Sequence, residues 1–180
     1  AVVNSSKGDF DKAFTLTKQA RALSKESNSQ INYVHIDFNE SHWNYEIGDF
    51  DKAMNMLDRL EKRLEDSAGD AWQGSVSFVK GSCEFSRGDY DTSKQLFLNR
   101  INELELHNNK KMLLANFVYY SLSLKRLDDD FDKLKLYKII EENEDEISYE
   151  LNLRLYELLG EESYLIKAYN QVLNLSKQMD

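Results

Sequence analysis

The stretch Gly8-Asp9-Phe10-Asp11-Lys12-Ala13 recurs unchanged at Gly48–Ala53, and a variant, Gly-Asp-Tyr-Asp-Thr-Ser, fills Gly88–Ser93. Start points at 8, 48 and 88 fix a period of 40 residues, held over two intervals without slippage. Self-similarity at a period of about 20–50 residues marks a stack of like units, each burying its face against the next.

Each residue of the stretch has a mechanical reason. Glycine takes positive φ at no steric cost, so Gly8, Gly48 and Gly88 suit the turn that ends one helix and begins another. Asp9, Asp49 and Asp89 follow as N-caps, accepting from first-turn amides that have no helical partner. Asp11, Asp51 and Asp91 place negative charge in the first turn, where the helix dipole favours it. Phe10, Phe50 and Tyr90 open an apolar stripe. In the second copy it continues as Ala53, Leu57, Leu60 and Leu64, the spacing of one buried helix face. Ala13, Ala53 and Ser93 are small, as a close helix approach requires.

These residues resemble the tetratricopeptide repeat, a helix–turn–helix unit whose second helix opens with a G-D-[FY]-x-x-A pattern. That family has a small residue seven positions before the glycine, and Ser41 and Gly81 hold the place here. Two features depart from the family: the period exceeds the usual ~34 residues, and the chain has no proline. Helices longer by about one and a half turns account for the first. The resemblance implies an all-α fold, a right-handed α–α superhelix of antiparallel helix pairs. It implies one repeat domain over residues 1–180, with units at approximately 1–27 (partial), 31–66, 71–106, 110–142 and 146–178.

Taken in order, Ala1–Lys7 reads as the tail of a first helix. Asp9 to about Lys25 is its partner, carrying Phe10, Ala13, Leu16, Ala20 and Leu23. Ile31–Ile47 and Asp49–Asp66 form the second unit, Ala71–Arg87 and Asp89–Leu106 the third. Ile36, Phe38, Trp43 and Tyr45 recur forty positions on as Val76, Phe78, Cys83 and Phe85, which supports the repeat independently. In the third unit Arg100 stands where the second has Leu60, with Ile101 beside it. Lys110–Leu127 opens a diverged fourth unit in which Asp128–Asp130 replaces the glycine junction and Phe131–Leu134 echoes Phe-Asp-Lys-Ala. Ile147–Leu159 and Glu161–Lys177 make a last pair around Gly160.

A formal net charge of −9 argues against nucleic acid or an anionic membrane as a direct partner. The single cysteine, Cys83, cannot close an internal disulfide. No apolar run approaches the length of a membrane span. The chain does not begin with methionine, which suggests an excised fragment of a larger protein. The cytoplasm is the expected compartment, or the periplasm if the parent is a membrane sensor.

No catalytic arrangement emerges. His35 and His42 lie two turns apart, roughly 10 Å along the axis, too far to chelate one ion as an i, i+4 pair does. Cys83 stands where the previous unit has Trp43, which favours packing over reactivity. The acidic runs Asp128–Asp130 and Glu141–Glu146 lack EF-hand spacing and read as solvated helix ends. No phosphate-binding glycine loop or nucleophile elbow is present. The expectation is therefore a non-enzyme without cofactor or metal.

Binding is where the residues speak. In the resembled family the first helices line a concave surface. The resemblance places His35, Phe38, His42 and Tyr45 there in the second unit, Ser75, Phe78, Ser82 and Phe85 in the third, and Asn116, Tyr119 and Ser123 in the fourth. Inter-helix packing is an equally good account of Phe38, Phe78 and Tyr119. The carboxylate clamp for chaperone tails is disfavoured, since only Asn39 fits and Val79 stands at its equivalent. The expected function is a non-catalytic module that binds a peptide or helix of a partner protein, the sensory or regulatory part of a larger bacterial protein. A signal-peptide receptor domain of a transcriptional regulator is the alternative, and an assembly subunit of an enzyme a third. Asp37 and Glu40 on the helix of Phe38 predict a ligand with basic character. The partial first unit offers a route to a homodimer.

Overall fold

The computed structural model describes residues 9–26, 30–65, 70–107, 109–143 and 147–177. The expected helix tail Ala1–Lys7 and the turn residue Gly8 lie outside them, as do residues 27–29, 66–69, 108, 144–146 and 178–180. The described residues form nine α-helices in two compact units, Ala1–Arg87 and Gly88–Asp180. The division falls at the third copy of the glycine–aspartate stretch, so the two helices expected to pair within 71–106 belong to different units.

The first unit holds α1 (Phe10–Glu26), α2 (Gln30–Glu46), α3 (Phe50–Glu65) and α4 (Asp70–Arg87). Each packs on the next, and α2 also touches α4. Gly48 takes φ +84° with nothing within 4 Å of where a Cβ would stand, so backbone conformation alone selects glycine there. The Asp49 amide closes the end of α2 on the Asn44 carbonyl at 2.8 Å, and its carboxylate caps α3 through the Lys52 amide at 3.2 Å. Asp9 caps α1 in the same way through Lys12, at 3.1 Å.

Ala53, Leu57, Leu60 and Leu64 are all buried, and with Val76, Val79 and Cys83 of α4 they form the core of this unit. A buried leucine contributes about 1.5–3 kcal/mol relative to exposure, so this α3 face carries much of the unit's stability. In α1 the buried positions are Ala13, Thr17 and Ser24, with Ala20 half-buried between them, and the four match 53, 57, 60 and 64 at the 40-residue offset. Leu16 and Leu23 of the expected stripe lie off that register, and Leu23 is exposed. Thr17 satisfies its buried hydroxyl on the Ala13 carbonyl at 2.8 Å.

The second unit holds α5 (Tyr90–Leu106), α6 (Lys110–Arg126), α7 (Lys133–Glu141), α8 (Tyr149–Leu159) and α9 (Glu162–Ser176). Here α6 touches α5, α7 and α8, and α8 packs on α9. The α5 face is Ser93, Phe97, Ile101 and Leu104, so the apolar position moves one residue past Arg100 and then returns to register. Ser41, Gly81 and Ser121, spaced by forty, are all buried. In the fourth copy Asp128 adopts φ 58° in place of the glycine, and the cap moves three residues on to Asp132, which accepts from the Lys135 amide at 2.9 Å. Gly160 makes the last left-handed turn, and Lys125 donates to the carbonyls of Glu157 and Leu158 at the end of α8, both at 2.8 Å. Among the described residues no helix is long and apolar enough to cross a membrane.

Candidate functional site

His35, Phe38, His42 and Tyr45 recur at intervals of three and four, so α2 presents them along one stripe. In the first unit that stripe continues at both ends into neighbouring helices. The rings of His35 and of Trp72 from α4 form a T-shaped pair at 4.5 Å between centroids, and Phe38 tilts against the same indole at 5.1 Å. Phe38 stacks on His42 at 6.3 Å, His42 lies 6.1 Å from Tyr45, and Tyr45 lies 5.9 Å from Phe50 of α3. The result is an unbroken strip of six rings crossing three helices. Phe38, Tyr45, Phe50 and Trp72 rest on the α3–α4 core, yet none of the four is fully buried. His35 is exposed, and His42 forms an ion pair at 3.5 Å with Glu46 when protonated.

Chemically, the strip offers π faces and edges held in place from below, with imidazole nitrogens as donors or acceptors along its length. Such a surface suits apolar and aromatic side chains and peptide groups. Trp72 belongs to it but has no counterpart at position 32, which is Asn32, so repeat arithmetic gives no signal for it. Proximity across the α2–α4 contact is what brings it in.

The remaining expected positions differ in exposure. Ser82 and Phe85 are buried, and Ser82 turns its hydroxyl onto the Phe78 carbonyl at 2.9 Å. Both are interior positions, whereas Phe78 and Ser75 are half-buried. Asn116 and Ser123 are likewise interior. Asn116 donates to the Met112 carbonyl at 2.8 Å, and the Ser123 hydroxyl lies 3.1 Å from that of Ser93. Tyr119 belongs to the second unit, half-buried, stacked on Phe97 at 5.3 Å and with the Arg154 guanidinium 5.6 Å from its ring centroid. Burial lowers the Arg154 pKa, but the Tyr119 and Glu157 side chains outweigh it and hold the guanidinium firmly charged.

The acidic character expected beside Phe38 is spent internally. Asp37 accepts from Arg21 of α1 and Arg63 of α3, and Glu40 accepts from Arg21. These groups line a separate open cleft of about 410 Å³ with Lys52, Met56 and Arg59. That cleft holds four cationic side chains against two carboxylates, so the predicted attraction for a basic ligand has no local source in Asp37 or Glu40.

Cys83 is fully buried, and burial, reinforced by Glu84, pushes its thiol up to about 12, the opposite of an activated nucleophile. Among the described residues no three His, Cys, Asp or Glu side chains gather as a metal site. Comparison with protein-family models, with curated proteins and with solved structures returns no match for this chain.

Proposed function

We propose that this chain is a non-catalytic protein-interaction module of the tetratricopeptide kind, a right-handed stack whose first helices take a peptide or helix of a partner protein. In this proposal it serves as the sensory or regulatory part of a larger bacterial protein. The observation that carries the reading is the six-ring strip on α2, α3 and α4. Aromatic side chains give large contact area at low entropic cost, and they anchor many protein interfaces. The repeat supports the same reading, since stacked helix pairs set equivalent side chains along one face.

The binding residues in this reading are His35, Phe38, His42 and Tyr45, joined by Trp72, Phe50 and Phe78. A peptide-display selection on the folded chain tests it. Selected peptides are expected to share an aromatic or bulky apolar anchor and to compete with one another. Selected peptides whose binding is indifferent to Phe38→Ala and Trp72→Ala in still-helical protein would refute the assignment.

A further inference from the structure

The last helix of the second unit has two apolar faces, and among the described residues only one is packed against a neighbouring helix. Tyr164 and Ala168 are buried on the inward side, where Gln171 bridges Asn152 and the Ile147 carbonyl at 3.0 and 2.7 Å. The other side carries Leu165, Ile166, Tyr169, Val172 and Leu173, each between 39% and 66% exposed. Five large side chains in one stripe, half open to water, form a patch rather than the scattered exposure normal for a surface. At roughly 200 Å² for a fully exposed large side chain, they present on the order of 500 Å².

We propose that this face of α9 pairs two copies of the chain in antiparallel contact. Three features of α9 select a second copy as the occupant. The first is area: two such faces together reach about 1,000 Å², the size a specific interface clears. The second is charge. Between Glu162 and Lys177 the only charged residue is Lys167, in a chain where 31% of residues are charged. Depletion of charge with an aromatic at the centre is the composition of an interface core.

The third feature is symmetry about Tyr169, the most exposed residue of the face. A twofold axis there sets Leu165 against Leu173 and Ile166 against Val172, and brings Glu161 opposite Lys177. The face is therefore complementary to itself in shape class and in charge, as an isologous contact requires. Both termini of the contact gain, since acid meets base at the rim while the apolar residues close the middle.

Sedimentation velocity on the whole chain across micromolar concentrations tests the proposal. A dimer is expected, shifting to monomer by at least tenfold in dissociation constant when Ile166→Glu and Tyr169→Glu are combined, with helical circular dichroism unchanged. Glu161→Lys is expected to weaken the dimer several-fold and Lys177→Glu on top of it to restore it, which a parallel pairing would not do. Tyr169→Cys is expected to cross-link two chains on mild oxidation, since the buried Cys83 does not compete. A monomer throughout the range overturns the proposal, as does a dimer indifferent to the double variant, which would place the contact elsewhere. Failure of the charge swap and of the disulfide cross-link together would overturn the antiparallel register.

Discussion

Asp128 stands eighty residues after Gly48 and makes the same left-handed turn, at φ 58° against 84°. The hydrogen bonding matches as well: Asp49 closes on Asn44 at 2.8 Å, and Asp129 closes on Leu124 at 2.9 Å. An L-residue in this region carries about 1–2 kcal/mol of strain, relieved in part by the tolerance of aspartate for it. Asp128→Gly is therefore expected to stabilise the chain by about 0.5 kcal/mol, after the greater freedom of glycine in the unfolded state is counted. Gly48→Ala, with open space around it, is expected to cost about 1–2 kcal/mol. Urea unfolding midpoints measure both, and two unchanged midpoints would show that the turns carry no φ strain.

Gly81 lies buried in α4 at the position that Ser41 holds in α2 and Ser121 in α6. Protein interiors are close-packed, so a large side chain added at a buried position has to displace its neighbours. Gly81→Leu is expected to cost about 1–3 kcal/mol by overpacking, whereas Gly81→Ser, the residue present at the two equivalent places, is expected to cost less. Equal melting temperatures for the leucine and serine variants would contradict a close helix approach here.

What the sequence made legible follows the strength of its local signals. Glycine–aspartate junctions located the helix ends at 48 and 88 to within a residue or two, because φ and capping are decided by the residues on the spot. The inward register of α3 was equally plain, since Leu57, Leu60 and Leu64 repeat at helical spacing. In α1 the same register holds Ala20, which the stripe included, but also Thr17 and Ser24, so following apolar residues led to Leu16 and Leu23 instead of those two. Of the candidate strip, only the α2 residues were legible. Period arithmetic carried His42 and Tyr45 onto Ser82 and Phe85, but a shared position on a helix does not guarantee shared exposure. Nor does it reveal Trp72, which joins the strip through a contact between helices.

Glu157 is contested between burial, which pushes its carboxyl up, and hydrogen bonds and charge from Arg154 and Arg126, which prevail and hold it below its ordinary 4.5. A carboxylate depressed in the folded state stabilises it above the unfolded value and ceases to do so as pH falls through the folded one. The contribution is thus present above about pH 4.5 and lost in more acidic solution. Glu157→Gln is expected to lower stability at pH 7 and to flatten its decline between about pH 5 and 2. Parallel stability profiles for the two proteins would show that Arg154 and Arg126 gain nothing from this carboxylate.

Cys83 has no exposed surface and a thiol raised to about 12, chiefly by burial. Alkylation by a neutral reagent needs both access and thiolate, so the native chain is expected to react at least a hundred-fold more slowly than the urea-unfolded chain. Because the folded state holds the proton more tightly, stability from this group is full below the ordinary 9.0 and falls as pH climbs toward 12. Labelling kinetics in increasing urea check the first point. Rapid labelling without urea would mean that α4 opens easily, against its place in the core.

The strip on α2 makes a prediction that separates its surface residues from their buried neighbours. Phe38 and Trp72 touch each other at 5.1 Å and are half-buried, open on one side and seated on the core on the other. Truncating either to alanine is expected to weaken a display-selected peptide by about 10- to 100-fold, or 1.4–2.8 kcal/mol, if it is a central anchor. Ser82→Ala removes only the internal bond to the Phe78 carbonyl, so binding is expected to stay within about twofold, a change below 0.5 kcal/mol. Indole emission supplies an independent readout. Trp43 is buried, packs on Phe14 of α1 at 5.7 Å and is not one of the six rings, so a bound peptide should shift the emission of Trp72 alone. The shift is expected to vanish in Trp72→Phe and to survive Trp43→Phe. A peptide whose binding tracks Ser82 but not Phe38, or shifts Trp43 but not Trp72, would move the binding surface off the strip.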